Sequence, residues 1–188
     1  GRLVPIKNHR LFLEAVALAI ANNPKIQLRF KVIGDGELRK DLEDYSHKLN
    51  INRQVDFLGW QKDLVNIYSN LDIVALTSIN EGTPVSLIEA MASGRVVVAT
   101  DVGGVRDLLG TEINAEIKPG ANFKILERGI IVKSGDSLSF AAALSFILQN
   151  NVLGKNMGEI ARNFVKDNFT KDRLIRDMEN LYTCISIG

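Results

Sequence analysis

The sequence contains little cysteine, little proline and few aromatic residues. Its 188 residues include one cysteine and four prolines, and aromatic types make up 6% of the chain. A lone cysteine, Cys184, can neither close an internal disulfide nor supply a thiolate cage for a metal, so we expect a reducing cytoplasm and an inert Cys184. Cross-links are not needed, because a chain of this length buries roughly 70% of the surface that it exposes when unfolded.

An excess of charge of one sign and a long apolar run are also missing. The 23 Lys and Arg residues oppose 22 Asp and Glu residues, for a formal net charge of +1, and the two signs are interleaved. Domains that bind nucleic acids usually have a pI above about 9 and a clustered basic face, so we expect no nucleic-acid partner. No apolar run approaches the roughly 20 residues that span a bilayer, which predicts a soluble domain.

The sequence does contain strand patterns that alternate with helix patterns. We predict strands at 27–32, 55–58, 72–77, 96–100 and 129–132, and helices at 8–22, 38–49, 63–69, 84–93, 103–109, 136–148, 154–166 and 170–184. Residues 111–128 lose the pattern and are predicted to form a surface excursion. Such alternation favours parallel pairing, and the apolar run Val96, Val97 and Val98 is typical of a strand covered on both faces. We therefore predict an α/β fold with a doubly wound, Rossmann-like parallel sheet.

The loop after the predicted strand 72–77 carries the first candidate site. In open parallel sheets, ligands bind beyond the carboxyl ends of the strands. We expect Pro84 at the first helical position, with Thr83 as the cap, so that the free amides and the helix dipole form an anion site. Glu81 lies just before that helix, where a carboxylate requires a functional reason.

Glu89 is the second unusual residue, because its helical neighbours are mostly apolar and glutamate is almost never fully buried unless it is paired. Eight helical residues turn through about 800°, which is roughly 80° beyond two full turns. If Glu81 folds back over the helix end, both carboxylates can contact one ligand. The alternative is that Glu89 reaches solvent or pairs with an arginine.

These residues resemble the paired-glutamate motif of retaining, nucleotide-sugar-dependent glycosyltransferases of family four. The motif is EGTPVSLIE at 81–89, and further matches follow the family order: GRLVPIKN at 1–8, VIGDGELRKDLE at 32–43, VDFLGW at 55–60 and LDIVALTSINEGTPVSLIEAMASGRVVVATDVGGVRDLL at 71–109. The resemblance covers about residues 1–150. It implies the carboxyl-terminal, donor-binding half of a two-domain GT-B enzyme, without the acceptor-binding half and without the strand that would lead into Gly1.

The resemblance assigns roles at the donor phosphates. It implies that Arg2 and Lys7 bind the diphosphate, where fixed cations would stabilise the charge that develops on the departing nucleotide. No metal or other cofactor is then expected. The implied donor-binding positions in the loop and first helical turn are Gly82, Thr83, Pro84 and Val85.

The resemblance also assigns the sugar and nucleoside contacts. Glu81 is implied to bind hydroxyls of the transferred sugar near the reacting carbon, with retention through a front-face ion pair, and Glu89 to accept from the ribose hydroxyls. Gly34, Gly59 and Trp60 are implied to lie beside the donor cleft or the base. From the residues alone, the turn at Gly34 is mostly a structural device, and Trp60 is equally a core or rim residue.

Several segments carry weaker signals. The Gly103 and Gly104 turn resembles the family, which usually follows it with Pro and Glu, whereas Arg106 and Asp107 stand here. His9 and His47 are predicted to be exposed helix residues without a role. In the family the last helix, here 170–184, crosses back to the other domain.

The implied function is transfer from a UDP, GDP or ADP sugar to a sugar or lipid-linked acceptor, in the cytoplasm or at the inner face of a membrane reached through the absent domain. The fragment is expected to be inactive alone. One alternative is a noncatalytic nucleotide-sugar-binding or regulatory module. A nucleotide-sugar epimerase or a dinucleotide oxidoreductase fits less well, because the segment from Gly34 to Arg39 breaks the Gly-x-Gly-x-x-Gly pattern that the oxidoreductase requires.

Overall fold

The computed structural model describes residues 1–114, 122–173, 175, 176 and 178. The strands are β1 (Phe30–Ile33), β2 (Val55–Gly59), β3 (Ile73–Leu76), β4 (Val96–Thr100), β5 (Phe123–Leu126) and β6 (Gly129–Val132). The helices are α1 (His9–Asn22), α2 (Arg39–Lys48), α3 (Leu64–Ser69), α4 (Val85–Ala92), α5 (Val105–Leu109), α6 (Ser137–Gln149) and α7 (Asn151–Asn168), and a 3-10 turn (Pro5–Lys7) precedes α1.

The strands form two hydrogen-bonded sheets. β1 and β2 pair in parallel, and the larger sheet has the order β3-β4-β6-β5. β4 is parallel to both β3 and β6, as predicted. β5 is antiparallel to β6 and falls in the segment that we predicted to be a surface excursion, so that prediction is wrong for Phe123–Leu126. A two-residue turn suffices to join antiparallel strands, and Glu127 and Arg128 provide it; residues 115–121 lie outside the described part.

Helices cover the larger sheet on both faces, which confirms the doubly wound architecture. The side chains of the fully buried strand β4 alternate between two cores: Val96 and Val98 pack in the first, and Val97 and Ala99 pack in the second. The first core includes residues of α1 and α6, and the second includes residues of α4, α5 and α7. This explains why the strand reads as a continuous apolar run.

Helix α1 joins the two sheets. Its residues Leu11 and Ala15 belong to the core of the larger sheet, whereas Leu13 and Val16 pack in a third core beneath β1 and β2. At its end, the buried Asn23 donates to Ser145 Oγ of α6 at 2.9 Å. Because α1 buries side chains against both sheets, it fixes how β1 lies relative to β3.

A cavity of about 1040 Å³ runs along the whole of the facing edges of β1 and β3, from Leu28 and Asp72 at the amino ends to Gly34 and Thr77 at the carboxyl ends, and among the described residues no strand pairs with either edge. Residues from both strands, from α3 and from the first turn of α4 line it. The segment from Gly1 to Leu3 lies against the residues just after the carboxyl end of β1, since the Leu3 amide donates to the Asp35 carbonyl at 2.9 Å. The carboxyl ends of β1 and β3 therefore open onto one space, where the sequence places its candidate site.

One local prediction differs from the structure, and another falls partly outside the described residues. Helix α4 begins at Val85 with Pro84 as its N-cap, and no side chain caps it, so the prediction that Thr83 caps a helix starting at Pro84 is wrong. The ψ angle of 108° keeps Pro84 extended, which shifts the helix start by one residue. Of the last predicted helix, residues 171–173, 175, 176 and 178 are helical, while 174, 177 and 179–188, with Cys184, lie outside the described residues.

Within the described part of the chain, no single helix is long and apolar enough to cross a membrane. The pair Ser137–Gln149 and Asn151–Arg173 meets the length and composition criterion only jointly, and it is bent by 98°.

Candidate active site

Lys7 and Glu81 meet at the carboxyl end of β3. Lys7 Nζ donates to Glu81 Oε1 at 2.5 Å, and the two side chains are only 28% and 11% exposed. Ser78, which is fully buried, donates its Oγ hydrogen to the same oxygen at 2.6 Å. Two donors on one oxygen fix the orientation of the carboxylate and leave Oε2 as the atom that is open to a ligand.

The backbone around Lys7 is anchored to the end of β3. Thr77 Oγ1 donates to the Lys7 carbonyl at 3.0 Å, and the Ile79 amide donates to the Ile6 carbonyl at 2.8 Å. Asn8 then adopts a left-handed conformation with φ of 46°, which turns the chain into α1. Lys7 is thereby placed against an acid that lies 74 residues later in the sequence.

The glycine turn after β4 supports the loop that carries Glu81. The Gly104 amide donates to the Gly82 carbonyl at 3.0 Å. A Cβ atom at Gly103, where φ is +49°, would lie 1.7 Å from the Glu81 carbonyl oxygen. This turn, a weak signal in the sequence, is therefore required for the position of Glu81. Arg106, which stands where the family usually has other residues, forms an ion pair with Asp101.

The first turn of α4 faces the same region. The amides of Leu87 and Ile88 donate to the Pro84 carbonyl at 3.0 and 3.4 Å, so regular helical bonding begins with these two residues. The preceding amides of Val85 and Ser86 belong to the free amino-terminal turn, which carries partial positive charge. Gly82, Thr83 and Val85 are exposed, and a ligand can reach them.

Glu89 is held by a tyrosine rather than by an arginine. The Tyr68 hydroxyl donates to Glu89 Oε2 at 2.9 Å and shares its hydrogen with the Ser86 carbonyl at 3.2 Å. Burial, followed by the bond to Glu89, raises the pKa of Tyr68, so the phenol stays a proton donor. Tyr68 could not be predicted as a site residue from the sequence, because in α3 it has the spacing of an ordinary core residue.

Five of the eleven predicted site residues line one cavity. Of the residues predicted for the site, the cavity lining contains Lys7, Gly34, Trp60, Val85 and Glu89. The described lining does not include Arg2, which is exposed, and it does not include Glu81, Gly82, Thr83 or Pro84 of the loop before α4. Gly59 lies beside the lining, since its carbonyl accepts from the Gly34 amide at 2.8 Å. Trp60 is 70% exposed, so the interpretation of Trp60 as a core residue is wrong.

Comparison with known proteins agrees with this arrangement. The family model described as glycosyl transferases group 1 matches residues 1–164. The chain belongs to the group 1 glycosyltransferases.

Two curated relatives and one solved structure illustrate the family. The chain is 30% identical over 183 residues to the UDP-Gal:alpha-D-GlcNAc-diphosphoundecaprenol alpha-1,3-galactosyltransferase of Escherichia coli, covering 97% of this chain and 43% of that protein. It is 32% identical over 168 residues to the D-inositol 3-phosphate glycosyltransferase of Corynebacterium urealyticum, covering 86% and 36%. It matches Anabaena Alr3699/HepE in complex with UDP with a TM-score of 0.81 at 22% identity, covering 98% and 47%.

These matches confirm the GT-B, Rossmann-like fold that the sequence predicted for this group 1 glycosyltransferase. The chain spans less than half the length of each of these three proteins.

His9, the first residue of α1, was predicted to be exposed, and this prediction is wrong. It is half-buried, it lines the cavity, and its Nδ1 atom is buried without a hydrogen-bond partner among the described residues. Burial, with smaller contributions from the Gly1 ammonium group and Lys7, lowers the pKa of His9 to about 4. In this group 1 glycosyltransferase His9 is therefore neutral at pH 7. The other histidine, His47, is exposed as predicted.

Gly34 has a structural role in this site. Its φ is +126°, and a Cβ atom there would lie 1.7 Å from the Gly1 carbonyl oxygen. Only glycine lets the segment that leads to Lys7 approach the end of β1 so closely. Across the described residues, no group of three or more His, Cys, Asp or Glu side chains is arranged to hold a metal ion.

Proposed function

We propose that this chain is the donor-binding domain of a retaining glycosyltransferase of family four, which transfers a sugar from a nucleoside-diphosphate sugar to an acceptor hydroxyl. One observation carries the proposal: the Lys7 and Glu81 pair lies beside the free first turn of α4, and Glu89 of the same helix lines the cavity there. The name of the Escherichia coli relative, which includes UDP-Gal, supports a nucleotide-sugar donor.

Lys7 is proposed to bind the donor diphosphate together with Arg2. An ammonium group has three hydrogens, and Lys7 uses one of them on Glu81, so two remain for phosphate oxygens. The amides of the first turn of α4 add partial positive charge. When the bond between sugar and phosphate breaks, negative charge grows on the departing nucleotide, and cations fixed in advance stabilise that state more than the ground state. These groups would provide the stabilisation without a metal ion.

Glu81 is proposed to bind the transferred sugar. Its Oε1 atom is occupied by Lys7 and Ser78, so Oε2 would accept from a sugar hydroxyl next to the reacting carbon. A carboxylate so close to that carbon also stabilises the positive charge that forms there. We propose that the acceptor hydroxyl then attacks from the face that the phosphate leaves and gives its proton to the departing phosphate oxygen, which retains the anomeric configuration, and we assign Glu81 no covalent intermediate.

Glu89, Gly59 and Trp60 are proposed to bind the nucleoside. A ribose diol offers two hydroxyl donors, and a carboxylate has two oxygens with about four acceptor positions. This pairing explains an acid on a mostly apolar helix. The exposed Trp60 ring at the cavity and the backbone of Gly59 would contact the base.

Acceptor choice would lie with a separate amino-terminal domain, because the chain spans less than half of its relatives. The acceptor would be a sugar or a lipid-linked sugar, with the enzyme in the cytoplasm or at the inner face of a membrane. We propose that the chain alone binds donor but does not transfer sugar.

The experiment joins this chain to its natural amino-terminal half and follows sugar transfer and product configuration by NMR. We expect a product of retained configuration and a turnover that falls about 100-fold or more in Glu81→Ala, by analogy with the loss of a transition-state contact. Glu112→Ala is the matched control, since Glu112 forms an exposed ion pair with Lys124. An inverted product, or near wild-type turnover of Glu81→Ala, would contradict the proposal. Binding without transfer by the joined protein would instead support a noncatalytic module.

A further inference from the structure

Tyr68 makes a contact that the proposed roles do not yet use. Its hydroxyl donates to Glu89 Oε2 at 2.9 Å across the interface of α3 and α4. The tyrosine is only 9% exposed, and it lines the cavity together with Glu89. Among the described residues, Tyr68 is the only one that forms a hydrogen bond with the Glu89 side chain.

An unrestrained glutamate side chain occupies many rotamers, and the conformational entropy that it loses when a ligand orders it opposes binding. The hydrogen bond from Tyr68 orders the Glu89 carboxylate before a ligand arrives. It uses Oε2 and leaves Oε1 available. The second acceptor of the Tyr68 hydrogen, the Ser86 carbonyl at 3.2 Å, ties the phenol to the first turn of α4. The orientation of Glu89 is therefore fixed relative to the helix end that is proposed to bind the phosphates.

We propose that Tyr68 is a positioning residue that holds the Glu89 carboxylate so that Oε1 accepts hydrogen bonds from the ribose hydroxyls of the nucleotide. This inference rests on the proposed function, because it takes a nucleoside diphosphate as the ligand. It adds a specificity: Tyr68 sets the preference for ribose over deoxyribose, through Glu89 and without touching the sugar.

The chain contains a matched control for this contact. The Tyr45 hydroxyl donates to Glu14 Oε1, also at 2.9 Å, between α2 and α1. Neither residue of that pair lines the cavity. Tyr45→Phe therefore removes the same kind of hydrogen bond as Tyr68→Phe, at a place that should not affect nucleotide binding.

The test measures the dissociation constants of UDP, GDP and ADP, each beside its 2′-deoxy counterpart, by calorimetry on the wild type and both variants. A hydrogen bond to a charged group corresponds to about a tenfold or greater change in affinity. We expect the wild type and Tyr45→Phe to prefer the best ribonucleotide over its deoxy form by about tenfold or more, and Tyr68→Phe to lose most of that preference. If Tyr68→Phe binds the ribonucleotide and its deoxy form more weakly, with an unchanged ratio of the two dissociation constants, the role of Tyr68 is merely structural and the proposal is overturned.

The outcomes separate this inference from the proposed function. If the wild type binds none of the three ribonucleotides, the proposed function fails and the role of Tyr68 fails with it. If the wild type binds a ribonucleotide and Tyr68→Phe keeps the full ribose preference, only the role of Tyr68 is overturned. Wild-type binding without a ribose preference overturns the contact between Glu89 and ribose, and the positioning role with it.

A second measurement does not depend on how well Tyr68→Phe folds. The chain has three tyrosines, so a wild-type protein labelled with 3-fluorotyrosine gives one fluorine resonance for each, and the Tyr68 resonance is assigned by elimination with Tyr45→Phe and Tyr182→Phe. We expect the best ribonucleotide at saturation to shift the Tyr68 resonance more than its deoxy form does. Equal shifts with the two nucleotides would overturn the proposal.

Discussion

The Lys7 and Glu81 pair is the most informative contact at the scale of single residues. Both side chains are largely shielded from water, so removing one charge leaves the other partly buried without compensation. Ser78 and the glycine turn after β4 constrain the acid further. The pair is therefore a rigid arrangement with one free carboxylate oxygen and two free ammonium hydrogens, which suits a ligand that carries both phosphate and hydroxyl groups.

His9 predicts a pH dependence of stability. The folded state lowers its pKa from 6.5 to about 4, so the unfolded chain binds a proton more readily. This contribution to stability is complete above about pH 6.5 and is lost as the pH falls towards 4. Between pH 7 and 4, the free energy of unfolding of the wild type should fall by up to roughly 3 kcal/mol more than that of His9→Gln, measured by urea denaturation. His47→Gln should follow the wild type, and identical profiles for the wild type and His9→Gln would contradict the burial of a neutral imidazole.

Glu81 and Glu89 could be identified from the sequence because each acid stands where local structure gives it no reason to be. Their hydrogen-bond partners could not be identified from the sequence. Ser78 and Tyr68 reach the two acids only after β3, α3 and α4 have packed. Tyr68 has no unusual sequence neighbourhood, and an imidazole such as His9 looks exposed until the cavity wall is assembled.

At the scale of elements, the close packing of α7 on the end of α4 depends on two glycines. A Cβ atom at Gly158 of α7 would lie 2.3 Å from the carbonyl oxygen of Gly94, which follows α4 with a φ of +67°. Gly154, one turn earlier in α7, has only ordinary contacts, the nearest being Ile147 side-chain atoms at 3.4 Å. Gly158 and Gly154 thus differ in the space that is available to a Cβ atom.

Alanine at Gly158 and alanine at Gly154 should have opposite effects on stability. Both substitutions gain about 1 kcal/mol of helix propensity. Gly158→Ala must also push the backbones apart, so we expect a net loss of roughly 1 to 3 kcal/mol in the free energy of unfolding. Gly154→Ala should be neutral or slightly stabilising. Urea denaturation compares the two variants, and equal stabilities would show that the helices do not approach each other as closely as the structure has them.

The alternation of strands and helices could be predicted because each element carries its own apolar period. β5 was missed, because Phe123–Leu126 is short and its partner β6 is only two residues away, so the hairpin has none of the spacing of a crossover. The helical cap at Thr83 was wrong because Pro84 stays extended. In both places backbone geometry overrides a pattern that is reasonable locally.

At the scale of the whole molecule, a cavity between two sheets is lined by Lys7 and Glu89, and Lys7 in turn contacts Glu81. Helix α1 contributes to the cores of both sheets, and the segment before it carries Lys7 past the ends of β1 and β3. The sequence predicted a doubly wound parallel sheet, and the described strands form two hydrogen-bonded sheets.

Every role proposed for this chain depends on the binding of a nucleoside diphosphate in this cavity through Lys7 and Glu89. Calorimetric titration of the 188-residue chain with UDP, GDP and ADP tests it most directly. We predict saturable binding of at least one nucleotide, weakened about tenfold or more in Lys7→Ala and in Glu89→Ala, and unchanged in Lys124→Ala, which breaks an exposed pair of the same type. No heat and no NMR shift perturbation at millimolar nucleotide, or equal binding by all of these variants, would contradict the claim.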